Sequence, residues 1–305
     1  MSSSRRTYGG LTPGSLEKHY LGFLASLRRK RPETRGTYGR ALREFLRWSA
    51  RRKSVARTPG DIERYKTYLE MTRKLSPVSV STYLTAVRRF YRYLNVRGIV
   101  SANPAASVVG NSRPRNHSRG TLTTDEVTRL LSIVERSTER GARDYVFIRL
   151  MLECGLSEIE LIRADLGDYQ RRGRRAVLTV QGKGRVRKDQ KVELTAPTRQ
   201  VLERYLAMRH GGGGSAPLFT SAGNRTRGRR MTTRGVRERV GLYLERAGIT
   251  GTGPSPVTPY SLRHTAAAIL ARSGASADEI RRHMRLGTLA TARLYLDAPP
   301  GAQEA

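Results

Sequence analysis

Between residues 15 and 97, apolar side chains recur at steps of three and four, in four consecutive blocks. They are Leu16, Tyr20, Phe23, Leu24 and Leu27; Tyr38, Leu42, Phe45 and Leu46, with Ser49 in phase; Ile62, Tyr65, Tyr68 and Leu69; and Val80, Tyr83, Leu84, Val87, Phe90, Tyr91 and Leu94. This spacing gives each of a series of helices one apolar stripe, and each stripe must be covered by another helix. Pro32, Pro59 and Pro77 stand near block starts, where a missing N–H costs a helix nothing. Residues 15–98 are therefore expected to form an all-α domain of about four helices.

After Arg97 the text changes to GIVSANPAASVVGNSRPRNHSRG, rich in Gly, Pro, Ser and Asn and without a sustained period. Residues 99–118 read as a linker. Thr123 and Glu126 have the spacing of a capping box opening a helix through about Ser137, and a second helix is expected from about Arg143 to Glu153. The stretches RRAVLTVQ and RVRKDQKVEL then alternate residue types around Gly182, Lys183 and Gly184, which predicts an antiparallel hairpin. Helical spacing returns over 198–209, 233–247, 260–272, 277–284 and 289–297. Residues 119–298 thus read as a mainly α domain with a small antiparallel sheet, flanked by a flexible N-terminus (1–14) and a tail (299–305).

Lysine and arginine number 58 against 25 acidic residues, a formal charge of +33. Such an excess opposes compaction unless a polyanion is the usual neighbour, and nucleic acid is the first candidate. No run approaches the ~18 apolar residues of a membrane span, and the start MSSSRRTYGG has no apolar signal core. The chain is expected to be cytoplasmic, without a membrane partner and, given its charge, nucleoid-associated. The single cysteine, Cys154, lies in the apolar run VFIRLMLECGL and reads as a buried small hydrophobe.

Five motifs then occur in a fixed order: TLTTDEVTRLL, CGLSEIELIRADLGDY, VQGKGRVRKDQKVEL, TPYSLRHTAAAIL and IRRHMRLGTLATARLYL. Upstream, VSTYLTAVRRFYRYL precedes an NPA. Over residues 15–298 the chain resembles the tyrosine recombinase (phage integrase) family. The resemblance implies a SAM-like, all-α core-binding domain ahead of a catalytic-type α+β domain, and a transesterification needing neither metal nor cofactor. A tyrosine, here Tyr295, attacks a DNA phosphate to form a 3′-phosphotyrosyl link and release a 5′-hydroxyl. A phenol with a pKa near 10 is a poor nucleophile at neutral pH, and the phosphorane gathers negative charge that fixed donors must meet. Arg263 matches an arginine gripping the scissile phosphate, Lys183 the general acid for the leaving oxygen, and His264 a supporting residue. The implied partner is double-stranded DNA, bound by a homotetramer on two sites or by a hetero-assembly with another recombinase, in DNA integration or recombination serving a mobile element. Arg43, Arg47, Arg88 and Arg92 in the first domain, with Arg227, Arg229, Arg230 and Arg234 in NRTRGRRMTTR, are the candidate phosphate contacts.

Three positions depart from the family pattern. Ser157 stands where Gly-Leu-Arg places the first catalytic arginine, and with Glu160 it can form a capping box instead. Tyr260 stands at the usual histidine of His-x-x-Arg, where it still donates a hydrogen bond but adds no charge. Leu286 takes the place of a histidine or tryptophan nine residues before Tyr295. Arg149, Arg163 and Arg285 are candidates to replace the lost charge. Two readings stay open: a site-specific recombinase or integrase, and a catalytically impaired DNA-binding paralogue that occupies sites or supports an active partner.

Overall fold

A computed structural model describes residues 12–30, 32–111, 120–182, 184–209, 211–223, 226–249 and 256–297. The chain divides into two compact units, Met1–Pro114 and Arg115–Ala305.

The first unit holds α1 (Pro13–Ser26), α2 (Pro32–Arg51), α3 (Pro59–Thr67) and α4 (Pro77–Val96), with α3 widening into a π-turn over Tyr68–Thr72. Every one of these helices begins on a proline, one more than the pattern at Pro32, Pro59 and Pro77 suggested. Hydroxyls satisfy the exposed first-turn amides: Thr12 accepts from Ser15 N at 3.2 Å, Thr58 from Asp61 N at 3.2 Å and Ser76 from Ser79 N at 3.4 Å. The apolar stripes meet in an aromatic core. Phe45 sits edge-on to Tyr65 (5.0 Å between ring centres) and Tyr91 (5.9 Å) and stacks on Trp48 (6.0 Å). Buried Glu44 ties the π-turn to α2 by accepting from Tyr68 Oη (2.7 Å) and Arg73 Nε (3.3 Å).

The first part of the stretch read as linker packs on this unit. Val100, Ala105 and Val108 are buried, and side chains fasten the backbone between them. Arg88 donates from Nε to Ala105 O (3.1 Å) and from Nη2 to Val108 O (2.7 Å), while Ser81 Oγ donates to Asn111 O (2.8 Å). The reading of 99–118 as a linker rested on its lack of a helical period. Side chains on α4 supply the hydrogen bonds that its own backbone does not make.

The second unit holds α5 (Thr124–Ser132), α6 (Glu139–Glu153), α7 (Glu158–Arg163), β1 (Tyr169–Arg172), β2 (Arg175–Val180), β3 (Gln190–Glu193), α8 (Ala196–Met208), α9 (Thr233–Arg246), α10 (Ser261–Arg272), α11 (Ala277–His283) and α12 (Leu289–Leu296). The mainly helical plan with one small antiparallel sheet agrees with the sequence reading. The sheet has the order β1-β2-β3, with Arg172 opposite Arg175 and Val180 opposite Gln190. β1 was not anticipated, because YQRR has no alternation of residue type and its pattern is set by pairing alone. β3 starts only at Gln190, so the connection after β2 is longer than a Gly-Lys-Gly turn. α6 is buried on nearly all sides, including Arg143 and Asp144. Asp144 accepts from Arg143 Nε (2.8 Å), Arg239 Nε (2.7 Å) and Tyr243 Oη (3.1 Å), which makes this interior charge tolerable. Among the described residues no helix is long and apolar enough to cross a membrane.

Two tyrosines of the first core differ in one respect. Tyr91 Oη donates to Ala56 O at 2.7 Å, whereas Tyr65 Oη has no hydrogen-bond partner among the described residues. Tyr91→Phe is expected to cost about 1 kcal/mol, and Tyr65→Phe to be neutral or stabilising by up to about 1 kcal/mol. Urea unfolding of the two variants against the parent measures both differences.

Candidate active site around Tyr295

The site starts at the turn between α6 and α7. Gly155 takes φ +57° there, a left-handed conformation that favours glycine, with the Met284 thioether against its open side. Ser157 stands at the start of α7, where its backbone N–H and its hydroxyl both donate to Glu160 Oε2, at 2.8 and 2.7 Å. Glu160 is more than a capping residue. It is 2% exposed and lies between two guanidinium groups. Arg263, on α10, donates from Nη1 to Glu160 Oε2 at 2.9 Å and also bonds the Gly155 and Met284 carbonyl oxygens. Arg285, in the loop between α11 and α12, donates from Nε to Glu160 Oε1 at 2.7 Å. Its other bonds go to His283 O (2.6 Å), Gly155 O (2.8 Å) and Cys154 O (3.1 Å). Two guanidiniums and one carboxylate leave this cluster with one net positive charge. Burial pushes the Glu160 carboxyl up, but the Arg285 and Arg263 charges and the Ser157 hydroxyl outweigh it and hold the group below its ordinary range.

Tyr295 reaches the same place from α12. Its hydroxyl lies 2.8 Å from His264 Nδ1, and His264 follows Arg263 on α10. Ala266, Ala267, Ile280, Met284 and Ala292 pack around the phenol ring, which leaves Tyr295 8% exposed. Burial, with Tyr260 nearby, raises the phenol pKa above its ordinary value of 10, an effect that Arg263 only partly opposes. The hydroxyl is therefore protonated at neutral pH. Tyr260 precedes α10 and sets its ring edge-on to His264, 5.0 Å between centres.

The remaining candidate residues fall in several places. Lys183 lies outside the described residues. Later in the sequence, Lys188 pairs with Asp165 and Asp168 at 2.5 Å each, and Arg185 pairs with Asp189 at 2.8 Å. Leu286 packs against the apolar cluster around Tyr295. His283 directs Nε2 to Glu153 O at 3.1 Å. Arg149 pairs with Glu153 and bonds Tyr145 Oη at 3.3 Å, and Arg163 closes α7. Of the three arginines considered as substitutes, Arg285 is bonded to Glu160. Burial pushes the Cys154 thiol up to about 12, as suits a packed, inert side chain.

The candidate phosphate contacts divide. Arg43 and Arg47 are exposed one turn apart on α2, and Arg92 is exposed on α4. Arg88 is committed to the 105–108 backbone. Arg227 and Arg229 are exposed beside the Thr220↔Arg230 bridge. Arg230 is tied to Ile162 O (2.8 Å), Ala164 O (3.2 Å) and Asp165. Arg234 pairs with Glu238 at 2.6 Å with its side chain 87% exposed.

Glu160 has a depressed pKa in the folded chain, so its contribution to stability is complete above its ordinary value of 4.5 and is lost as pH falls through the folded value. Glu160→Gln is expected to cost about 3 kcal/mol at pH 7, because two buried guanidiniums lose their counter-charge. Below pH 4 the gap to the parent should narrow. Urea titrations at pH 7 and pH 3.5 test both statements.

The phage integrase family profile matches residues 120–300, more than half of the chain, and the profile of the phage integrase N-terminal SAM-like domain matches 21–99. The tyrosine recombinase XerC of Pelobacter propionicus is 28% identical over 270 residues, covering 87% of this chain and 84% of the relative. XerC of Myxococcus xanthus is 28% identical over 273 residues, covering 87% and 86%. Among solved structures, the XerH site-specific recombinase in a post-cleavage complex with palindromic difH substrate matches with a TM-score of 0.72 at 17% identity, over 93% of this chain and 80% of that one. The Tn1549 transposon integrase in complex with transposon right-end DNA also matches with a TM-score of 0.72, at 16% identity over 95% and 96%. These structural likenesses establish the fold, and the sequence profiles establish the lineage. The chain belongs to the phage integrase family of tyrosine recombinases.

Proposed function

We propose that this protein is a site-specific DNA recombinase that cuts and rejoins DNA through a 3′-phosphotyrosyl intermediate on Tyr295. The observation that carries the reading is the junction of α10 and α12, which sets the Tyr295 hydroxyl 2.8 Å from His264 Nδ1, one residue from Arg263. In this reading Tyr295 Oη attacks the phosphorus and the bond to the 5′-oxygen breaks. The phenol proton passes to His264 Nδ1, and Arg263 meets charge on a non-bridging oxygen. Lys183 donates a proton to the leaving 5′-oxygen, and Tyr260 adds a neutral hydrogen bond. The reaction conserves the phosphoester bond energy, so it takes neither cofactor nor metal, and EDTA should leave the adduct yield unchanged.

Double-stranded DNA is the proposed partner. A chain of +33 charge whose XerH and Tn1549 integrase neighbours are described in complexes with DNA suits that partner. Arg43, Arg47, Arg92, Arg227, Arg229 and Arg234 are the proposed phosphate contacts. A tetramer on two cytoplasmic DNA sites, built from this chain alone or with a second recombinase, is the proposed assembly. Neutralising six phosphates gives a slope of about −5 in log affinity against log salt, which fluorescence anisotropy at several salt concentrations measures.

The deciding experiment is incubation with a nicked duplex carrying the natural target site, followed by a denaturing gel. A covalent protein–DNA band that disappears in Tyr295→Phe is the expected result. Tight, salt-sensitive binding without that band would make the chain a DNA-occupying member of its family that supports an active partner.

A further inference from the structure

Ser157 leaves the pocket with an electrostatic deficit that the fold answers elsewhere. Arg263 and Glu160 alone sum to zero, and a buried carboxylate facing an anionic phosphorane would oppose the reaction. We propose that Arg285 supplies the second guanidinium of the phosphate pocket, from the α11–α12 loop, in place of an arginine at position 157. This inference rests on the recombinase reading.

Four observations support it. Arg285 and Arg263 occupy different oxygens of one carboxylate: Arg285 takes Oε1 at 2.7 Å, and Arg263 takes Oε2 at 2.9 Å together with the Ser157 hydroxyl at 2.7 Å. An arginine at position 157 would start beside that same carboxylate. The Arg285 side chain is only 6% exposed, so its charge acts with little screening by water. Its backbone takes φ +54°, a left-handed conformation that costs a residue bearing a Cβ about 1 kcal/mol or more. Glycine would fit that backbone without strain, so the side chain must return something the backbone alone does not. A guanidinium has five N–H donors. Four serve Glu160, His283 O, Cys154 O and Gly155 O, which leaves one Nη1 hydrogen for a phosphate oxygen.

The full-length chain and a nicked target duplex test the proposal. Arg285→Gln should slow single-turnover adduct formation by about 100- to 1,000-fold. Ser157→Arg combined with Arg285→Gly moves the guanidinium to the other side of Glu160 and relieves the strained φ. That double variant should recover to within about tenfold of the parent, whereas Arg285→Gly alone should not. Recovery separates a charge role from a packing role, and thermal unfolding shows that each variant is folded. Unslowed chemistry in folded Arg285→Gln, or a folded double variant as slow as Arg285→Gly, would overturn the inference.

A second measurement needs no cleavage. In the Tyr295→Phe background, replacing the scissile phosphate by a neutral methylphosphonate should weaken binding. That loss should shrink at least threefold in Arg285→Gln and return with Ser157→Arg in the Arg285→Gly chain. The same loss with and without Arg285 overturns the inference, while absence of a Tyr295-dependent adduct in the parent counts against the recombinase reading instead.

Discussion

Both oxygens of the Glu160 carboxylate are occupied in a nearly dry interior, and the second unit converges on them. Ser157 and Glu160 come from the start of α7, Arg263 from the first turn of α10, and Arg285 from the loop that leads into α12. The same two guanidiniums hold the Cys154, Gly155, His283 and Met284 carbonyl groups, so the chain on both sides of the pocket is pinned to one ion cluster. Two buried cations need the carboxylate, and the carboxylate needs them, since any one left alone would be charged in an apolar setting. The cluster fixes the start of α10 and the loop leading into α12, and the packing of Ala292 and Tyr295 with Ala266, Ala267 and Ile280 completes the placement of Tyr295 against His264.

The large positive charge of the chain is divided between structure and surface. Arg143 and Arg239 neutralise Asp144 inside the second unit, Arg88 fastens the 105–108 backbone, and Arg230 holds the end of α7. Arginine suits these tasks because its planar fork satisfies several acceptors at once while its stem packs against apolar neighbours. The residues left at the surface, such as Arg43, Arg47, Arg92, Arg227 and Arg229, are those whose charge a polyanion can reach. Arginine content alone therefore overstates the area open to DNA.

The resting state of the site is closed and protonated. Tyr295 is mostly buried, its phenol pKa is raised, and its hydroxyl is engaged with His264. The hydroxyl is thus held in place and kept from ionising in the free protein. Under the proposed function, the energy that activates this hydroxyl would have to come from binding of the substrate.

The sequence by itself determined what depends on near neighbours along the chain. Apolar steps of three and four, with prolines and capping hydroxyls at the starts, located the helices, because helix periodicity and end chemistry are local. The motifs around Arg263 and Tyr295 located the candidate chemistry, and Ser157 with Glu160 three residues on was readable as a helix cap. Only the tertiary structure decided the rest. β1 carries no alternating pattern and exists through pairing with β2. The hold of Arg88 on Ala105 and Val108 bridges 17 and 20 residues. Glu160 meets Arg263 across 103 residues and Arg285 across 125, distances over which neither periodicity nor motif carries information. Which arginine joins Arg263 on Glu160 therefore depends on where packing brings the α11–α12 loop, and the carboxylate oxygen that Arg263 does not take is the physical reason that Arg285 is held there.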